Sequence, residues 1–197
     1  MLPRPARVRL RLVCFSIVVA ACGAGAATPA PDPAGPCAGA DEQRTPGFYP
    51  DLEAHLPGLL DGRAPARVDS GRYCSSRTLG SLLMAGVAEL HFAGATWPEA
   101  DGSGIALVVY EAPGLTVDAV ADSFAVGAGS ARGISQVHAR EMQVAGRRGV
   151  SISAVSDRRP QAVLIWPAAT EGLVNVAIAS GAVEDRMAAA VDAFGDR

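Results

Sequence analysis

The chain has 197 residues and a formal charge of −3; its 17 cations are all arginine, set against 20 acids. That length fits one domain with a real core. The acidic balance excludes a dedicated nucleic-acid binder, which depends on clustered cations, and the missing lysine reads as the bias of a GC-rich genome.

Four arginines (Arg4, Arg7, Arg9, Arg11) precede an apolar run from Leu12 to Ala21. A basic opening, a short hydrophobic stretch and small residues before a cleavage point make a secretory leader. The run is about half of the ~20 residues that a membrane helix needs, and Gly23, Gly25 and Pro29 follow it. Cleavage before Cys22, in Val19-Ala20-Ala21-Cys22, gives the pattern of a lipobox. The N-terminus therefore resembles that of bacterial envelope lipoproteins, whose cysteine is acylated, in part with palmitate. The resemblance implies a leader over residues 1–21, lipidation of Cys22, and a protein anchored at the extracytoplasmic face of the cell membrane. Each buried methylene of such an anchor contributes about 0.8 kcal/mol. An ordinary signal cleaved after Ala24 or Ala26 stays open as the alternative.

Without the leader, 13 arginines face 20 acids, a formal charge of −7. Cys14 leaves with the leader and Cys22 is used by lipid, so Cys37 and Cys74 remain in an oxidising compartment. A Cys37–Cys74 disulfide is the economical reading; the alternatives are two free thiols or a metal pair, the latter disfavoured because no His or Cys sits at ligand spacing nearby.

Residues 22–47, rich in Gly, Ala and Pro, read as a tether, and residues 48–197 as one domain. Asp51 to Pro57 is a short helical turn and Ala66 to Tyr73 a strand. Leu79, Leu82, Leu83, Gly86, Val87 and Leu90 share one helical face, so the spacing predicts a helix from Thr78 that ends near His91. Trp97-Pro98 then falls in a loop. Ile105 to Glu111 is apolar on both faces, as a central strand would be. Thr116 caps a helix from Val117 to about Ala128. Val137–Val144, Gly149–Val155, Gln161–Trp166 and Leu173–Ile178 form strands joined by short hairpin connections. A last helix runs from about Val183 to Phe194. The expected class is α+β: an antiparallel sheet, in chain order β-α-β-α-β-β-β-β-α, with helices packed on one face.

Chemistry-bearing patterns are sparse. His55, His91 and His138 lack metal-ligand spacing, so neither a metal nor another cofactor is expected. The run Gly127 to Gly133 follows a helix instead of opening one, so it fits neither a nucleophile elbow nor a phosphate cradle. Asp118 and Asp122 read as a solvated helix face, and Arg147-Arg148 and Arg158-Arg159 as turn residues at opposite sheet ends. Trp97 and Trp166 have two readings: core filling, or aromatics lining a binding groove. The segment Asp51-Leu52-Glu53-x-x-Leu56-Pro57 with Gly62 is similar to the opening of small uncharacterised lipoprotein domains, a likeness that brings no catalytic residues. The expectation is a non-enzymatic binding or interaction module for a lipid, a small solute or an envelope protein, held at the membrane by its anchor. The alternatives are an envelope hydrolase with dispersed catalytic residues and a purely structural lipoprotein.

Overall fold

A computed structural model describes residues 32–37, 44–181 and 184–194, so the expected leader, Cys22 and the first part of the tether lie outside the described residues. The chain runs β1 (Arg44–Thr45), α1 (Pro50–Glu53), β2 (Arg67–Tyr73), α2 (Ser76–Leu79), α3 (Ser81–Met84), β3 (Leu90–Pro98), β4 (Gly104–Glu111), α4 (Val117–Ser130), β5 (Ile134–Val144), β6 (Arg147–Ser156), β7 (Arg159–Pro167), β8 (Leu173–Ser180) and α5 (Glu184–Phe194). All eight strands join one antiparallel sheet in the order β1-β2-β3-β4-β8-β7-β6-β5. The class is α+β. Strands β5 to β8 form the expected meander, which brings β8 back beside β4 with Val108 opposite Val176. The connection from β4 to the edge strand β5 must cross the sheet, and α4 makes that crossing. The Thr116 hydroxyl caps α4 by accepting from the Ala119 amide at 3.1 Å.

Helices cover both faces of the sheet, not one as the sequence suggested. Ile105, Leu107 and Val109 of β4 join Leu52, Met187, Ala190 and Phe194 in one core, under α1 and α5. Val108 and Tyr110, the alternate residues of the same strand, pack with Val120 and Ala121 of α4. Leu79 and Leu82 build a smaller cluster on this second side with Leu90 and Ala112. The physical reason lies in the central strands: β4, β7 and β8 are apolar on both faces, and each face must be shielded from water.

The expected helix from Thr78 to His91 is instead α2, α3 and the start of β3. Gly80 takes φ +52° and Gly86 φ +89°, a region that side chains with a Cβ avoid, and the helix breaks at both. Leu79, Leu82, Val87 and Leu90 are still buried together, whereas Leu83 is exposed. His91 therefore sits in β3 opposite Arg72, and Trp97 and Pro98 close the same strand, not a loop.

Inside the stretch read as a spacer, Arg44 and Thr45 pair with Gly71 and Ser70 of β2. Cys37 is bonded to Cys74 with Cα atoms 6.1 Å apart.

Candidate functional site

A cavity of about 340 Å³ lies on the second face of the sheet, bounded by α4, the α2–α3 pair and the strands beneath them. Its walls are apolar: Leu82 and Leu90 at one end, Val120 and Phe124 from α4, and Ile152, Val163 and Ile178 from the sheet. Five polar side chains reach it, those of Tyr73, Thr78, Tyr110, Ser123 and Gln161. A mostly apolar hollow of this size with a few convergent polar groups is the usual form of a small-molecule site. An apolar cavity of about 150 Å³ is enough to hold benzene, so this one has room for a larger apolar group.

The space has a local cause in α4. Its inward residues begin large, with Val120 and Phe124, and end small, with Gly127 and Ala128. A Cβ placed on Gly127 would meet nothing within 4 Å, so the helix spans the cavity there without filling it. Tyr110 brings a hydroxyl to the cavity from the central strand. Burial pushes that hydroxyl far above the ordinary phenol range, with Tyr73 adding to the effect. It is therefore a neutral donor at physiological pH. Tyr73 is fixed by stacking on Phe92, with ring centroids 4.6 Å apart.

Trp97 and Trp166 do not line this cavity. They are 3% and 0% exposed and belong to the core on the opposite face. The Trp97 indole N–H donates to the Arg63 carbonyl at 2.9 Å, and Trp166 meets Phe194 edge-on at 5.4 Å. Trp166 is a core aromatic, whereas Trp97 belongs to the same core but also borders a separate pocket of about 310 Å³ with Arg63, Glu99 and Arg186.

The three histidines stand apart from the cavity. His91 stacks on Tyr49 with centroids 4.5 Å apart, and its ring nitrogens lie 3.1 Å from Glu89 and 3.4 Å from Glu111. The nearby Ser70 hydroxyl donates to Glu53 at 2.7 Å and accepts from the Tyr49 amide, so it is engaged away from the imidazole. His138 is exposed on β5, and His55 follows α1. Arg148 links Glu141 at 2.7 Å and Asp118 at 3.4 Å across exposed surface, and Arg159 donates to the Asp101 carbonyl. Among the described residues no group of three or more His, Cys, Asp or Glu side chains is placed to hold a metal ion. Also among them, no helix is long and apolar enough to cross a membrane.

A second, wider hollow of about 620 Å³ lies on the other face, between α5 and strands β5 to β7. Met142, Val144, Leu164, Met187 and Val191 give it much apolar surface, and Arg140 and Asp192 add charged groups that the cavity under α4 lacks.

The site is thus an apolar chamber within an α+β domain whose sheet is covered on both faces. Comparison with protein-family models, with curated proteins and with solved structures found no match.

Proposed function

We propose that this domain is a binding module that holds an apolar small molecule, or one acyl chain of a lipid, in the cavity under α4. The chain would carry it as a lipoprotein acylated at Cys22, on the extracytoplasmic face of the membrane. The observation behind this reading is the cavity itself: seven apolar walls, few polar groups and a glycine where the covering helix could have closed it. Burying an apolar ligand there gains roughly 25 cal/mol per Å² of surface removed from water. Tyr110, kept neutral by burial, and Gln161 offer hydrogen bonds to one polar end of a ligand without placing a charge in the chamber.

Native mass spectrometry of the chain, after exposure to an envelope lipid extract, tests the reading. A reproducible added mass in the range of one lipid or small apolar metabolite is expected, displaced by excess of a competing fatty acid. A spectrum showing only the bare chain under conditions that preserve the fold would contradict it. The anchor is tested separately: Cys22→Ala should move the protein from the membrane fraction to the soluble fraction.

A further inference from the structure

The cavity under α4 is far longer than it is wide. Its lining takes at least one residue from each of seven neighbouring strands, from Tyr73 in β2 to Ile134 in β5. Six strand spacings amount to about 29 Å, whereas a round hollow of 340 Å³ would be only about 9 Å across. The register gives a similar length along the strands. Gln161 lies opposite Ser180, and Ser180 opposite Gly104, so Gln161 is level with a residue six positions from Tyr110 on β4. That offset is about 20 Å. The helix follows the same course. Its lining residues Val120, Ser123, Phe124, Gly127 and Ala128 fall at i, i+3, i+4, i+7 and i+8, which is one face over two turns. The space is therefore a narrow channel that runs obliquely across the sheet beneath α4.

The two ends of the channel differ. Leu82 and Leu90 stand at one end, 5% and 3% exposed, beside Tyr73 and Tyr110. Gly127 is exposed at the other, with Ile134, Ala154 and Gln161 half-buried around it. The Gln161 end is the mouth and the Leu82 end is closed. We infer that the channel holds a single unbranched acyl chain, lying lengthwise with its methyl end at Leu82 and Leu90 and its polar end at Gln161. Built on the binding reading above, this narrows the ligand from any apolar molecule of suitable volume to a linear one. A branched or ring-shaped molecule of equal apolar area would be too wide for such a channel. Of the two neutral groups offered to a polar end, Gln161 receives it, because its amide can donate to a carboxylate or ester oxygen at the mouth. Tyr110 lies about 20 Å deeper, where a hydroxyl that keeps its proton leaves no charge beside the hydrocarbon.

Displacement of the fluorescent probe N-phenylnaphthylamine from the full chain by saturated fatty acids tests the shape. From octanoate to hexadecanoate, potency should rise about threefold to fourfold with each methylene buried, and it should level off for longer acids. Hexyldecanoate, the branched isomer of hexadecanoate, should displace the probe at least tenfold less well. Ser123→Leu adds bulk partway along the channel from a helix position. It should bring the plateau forward to a shorter acid while octanoate keeps its potency. Probe binding with equal potency for the two isomers, with no dependence on chain length, or with an equal loss at every length in Ser123→Leu would overturn the inference and leave the binding reading standing. No probe binding at all would remove both. Lysophosphatidylglycerol carrying one hexadecanoyl chain separates two sources of the ligand. Displacement matching that of hexadecanoate assigns the acyl chain of a lipid, and displacement by the acid alone assigns a free fatty acid.

Discussion

The guanidinium of Arg72 donates to the carbonyl oxygen of Gly35 at 2.8 Å, across 37 residues of sequence. The same side chain reaches the carbonyls of Asp32 at 3.2 Å and Pro33 at 3.3 Å, pairs with Glu89 at 3.3 Å and lies over the Phe48 ring. A buried arginine thus gathers the backbone just ahead of Cys37, and the disulfide to Cys74 closes the clasp. Five donors in a fixed fork suit this task in a way that lysine could not match.

Opening the clasp should loosen the fold measurably. Reducing Cys37–Cys74 removes the restraint on a 37-residue loop, which the chain-entropy model values at about 4 kcal/mol. Arg72→Met should cost about 2 to 3 kcal/mol through lost charge-assisted hydrogen bonds. Because both hold the same segment, the combined loss should fall short of the sum. Urea unfolding of the oxidised, reduced and substituted chains checks all three values; strict additivity would show that the segment is not shared.

The two tryptophans should report a dry core and ignore the ligand. Acrylamide should quench the native emission far less than that of the urea-unfolded chain, since the indoles are 3% and 0% exposed. Trp166→Ala should destabilise the domain by about 3 to 5 kcal/mol, with unchanged ligand affinity in the molecules that remain folded. A loss of affinity at full stability would return Trp166 to the binding site.

Alkaline pH should unfold the domain through its tyrosines. Burial raises the Tyr110 hydroxyl far above the ordinary phenol range. Burial also raises Tyr49, opposed in part by the Arg72 cation. In the unfolded chain these groups ionise near pH 10, so above that pH the unfolded state binds fewer protons than the native one and stability falls as pH rises. Their contribution is complete below about pH 10 and is lost above it. Tyrosinate absorbance should rise later in the native chain than in urea, and Tyr110→Phe should remove the latest part of the rise. Superimposed native and unfolded curves would contradict the burial of Tyr110.

Much of the fold was legible because its signals are local. Thr116 before Val117 marked α4, and alternation in Val150-Ser151-Ile152-Ser153 marked β6 within the hairpins. Elimination among four cysteines yielded the Cys37–Cys74 bond. The segment from Thr78 to Leu90 misled because Leu79, Leu82, Val87 and Leu90 satisfy helical spacing and are buried together, yet reach the core through two short helices and a strand. Only the left-handed backbone at Gly80 and Gly86 separates the two routes. Apolar residues on both sides of β4 were visible, and they called for cover on both faces. The cavity was hidden for a different reason. It is assembled from α2, α3, α4 and several strands, and its capacity depends on the side chain that Gly127 lacks. The nearest clue was a serine and a glycine, Ser123 and Gly127, on the inward side of an otherwise apolar helix face.

Gly127 also supplies the most direct test of the binding account. Gly127→Leu would project a side chain into open space from a helix position without positive φ, so the fold should be kept or gain about 0.5 to 1 kcal/mol from better helix propensity. Gly129→Leu, on the same helix and outside the cavity lining, is the control. Titration with the fluorescent apolar probe N-phenylnaphthylamine should show saturable binding to the native chain and to Gly129→Leu, and at least tenfold weaker binding to Gly127→Leu at equal or higher melting temperature. Equal affinity in all three chains, or no saturable binding to any, would contradict the cavity as the site.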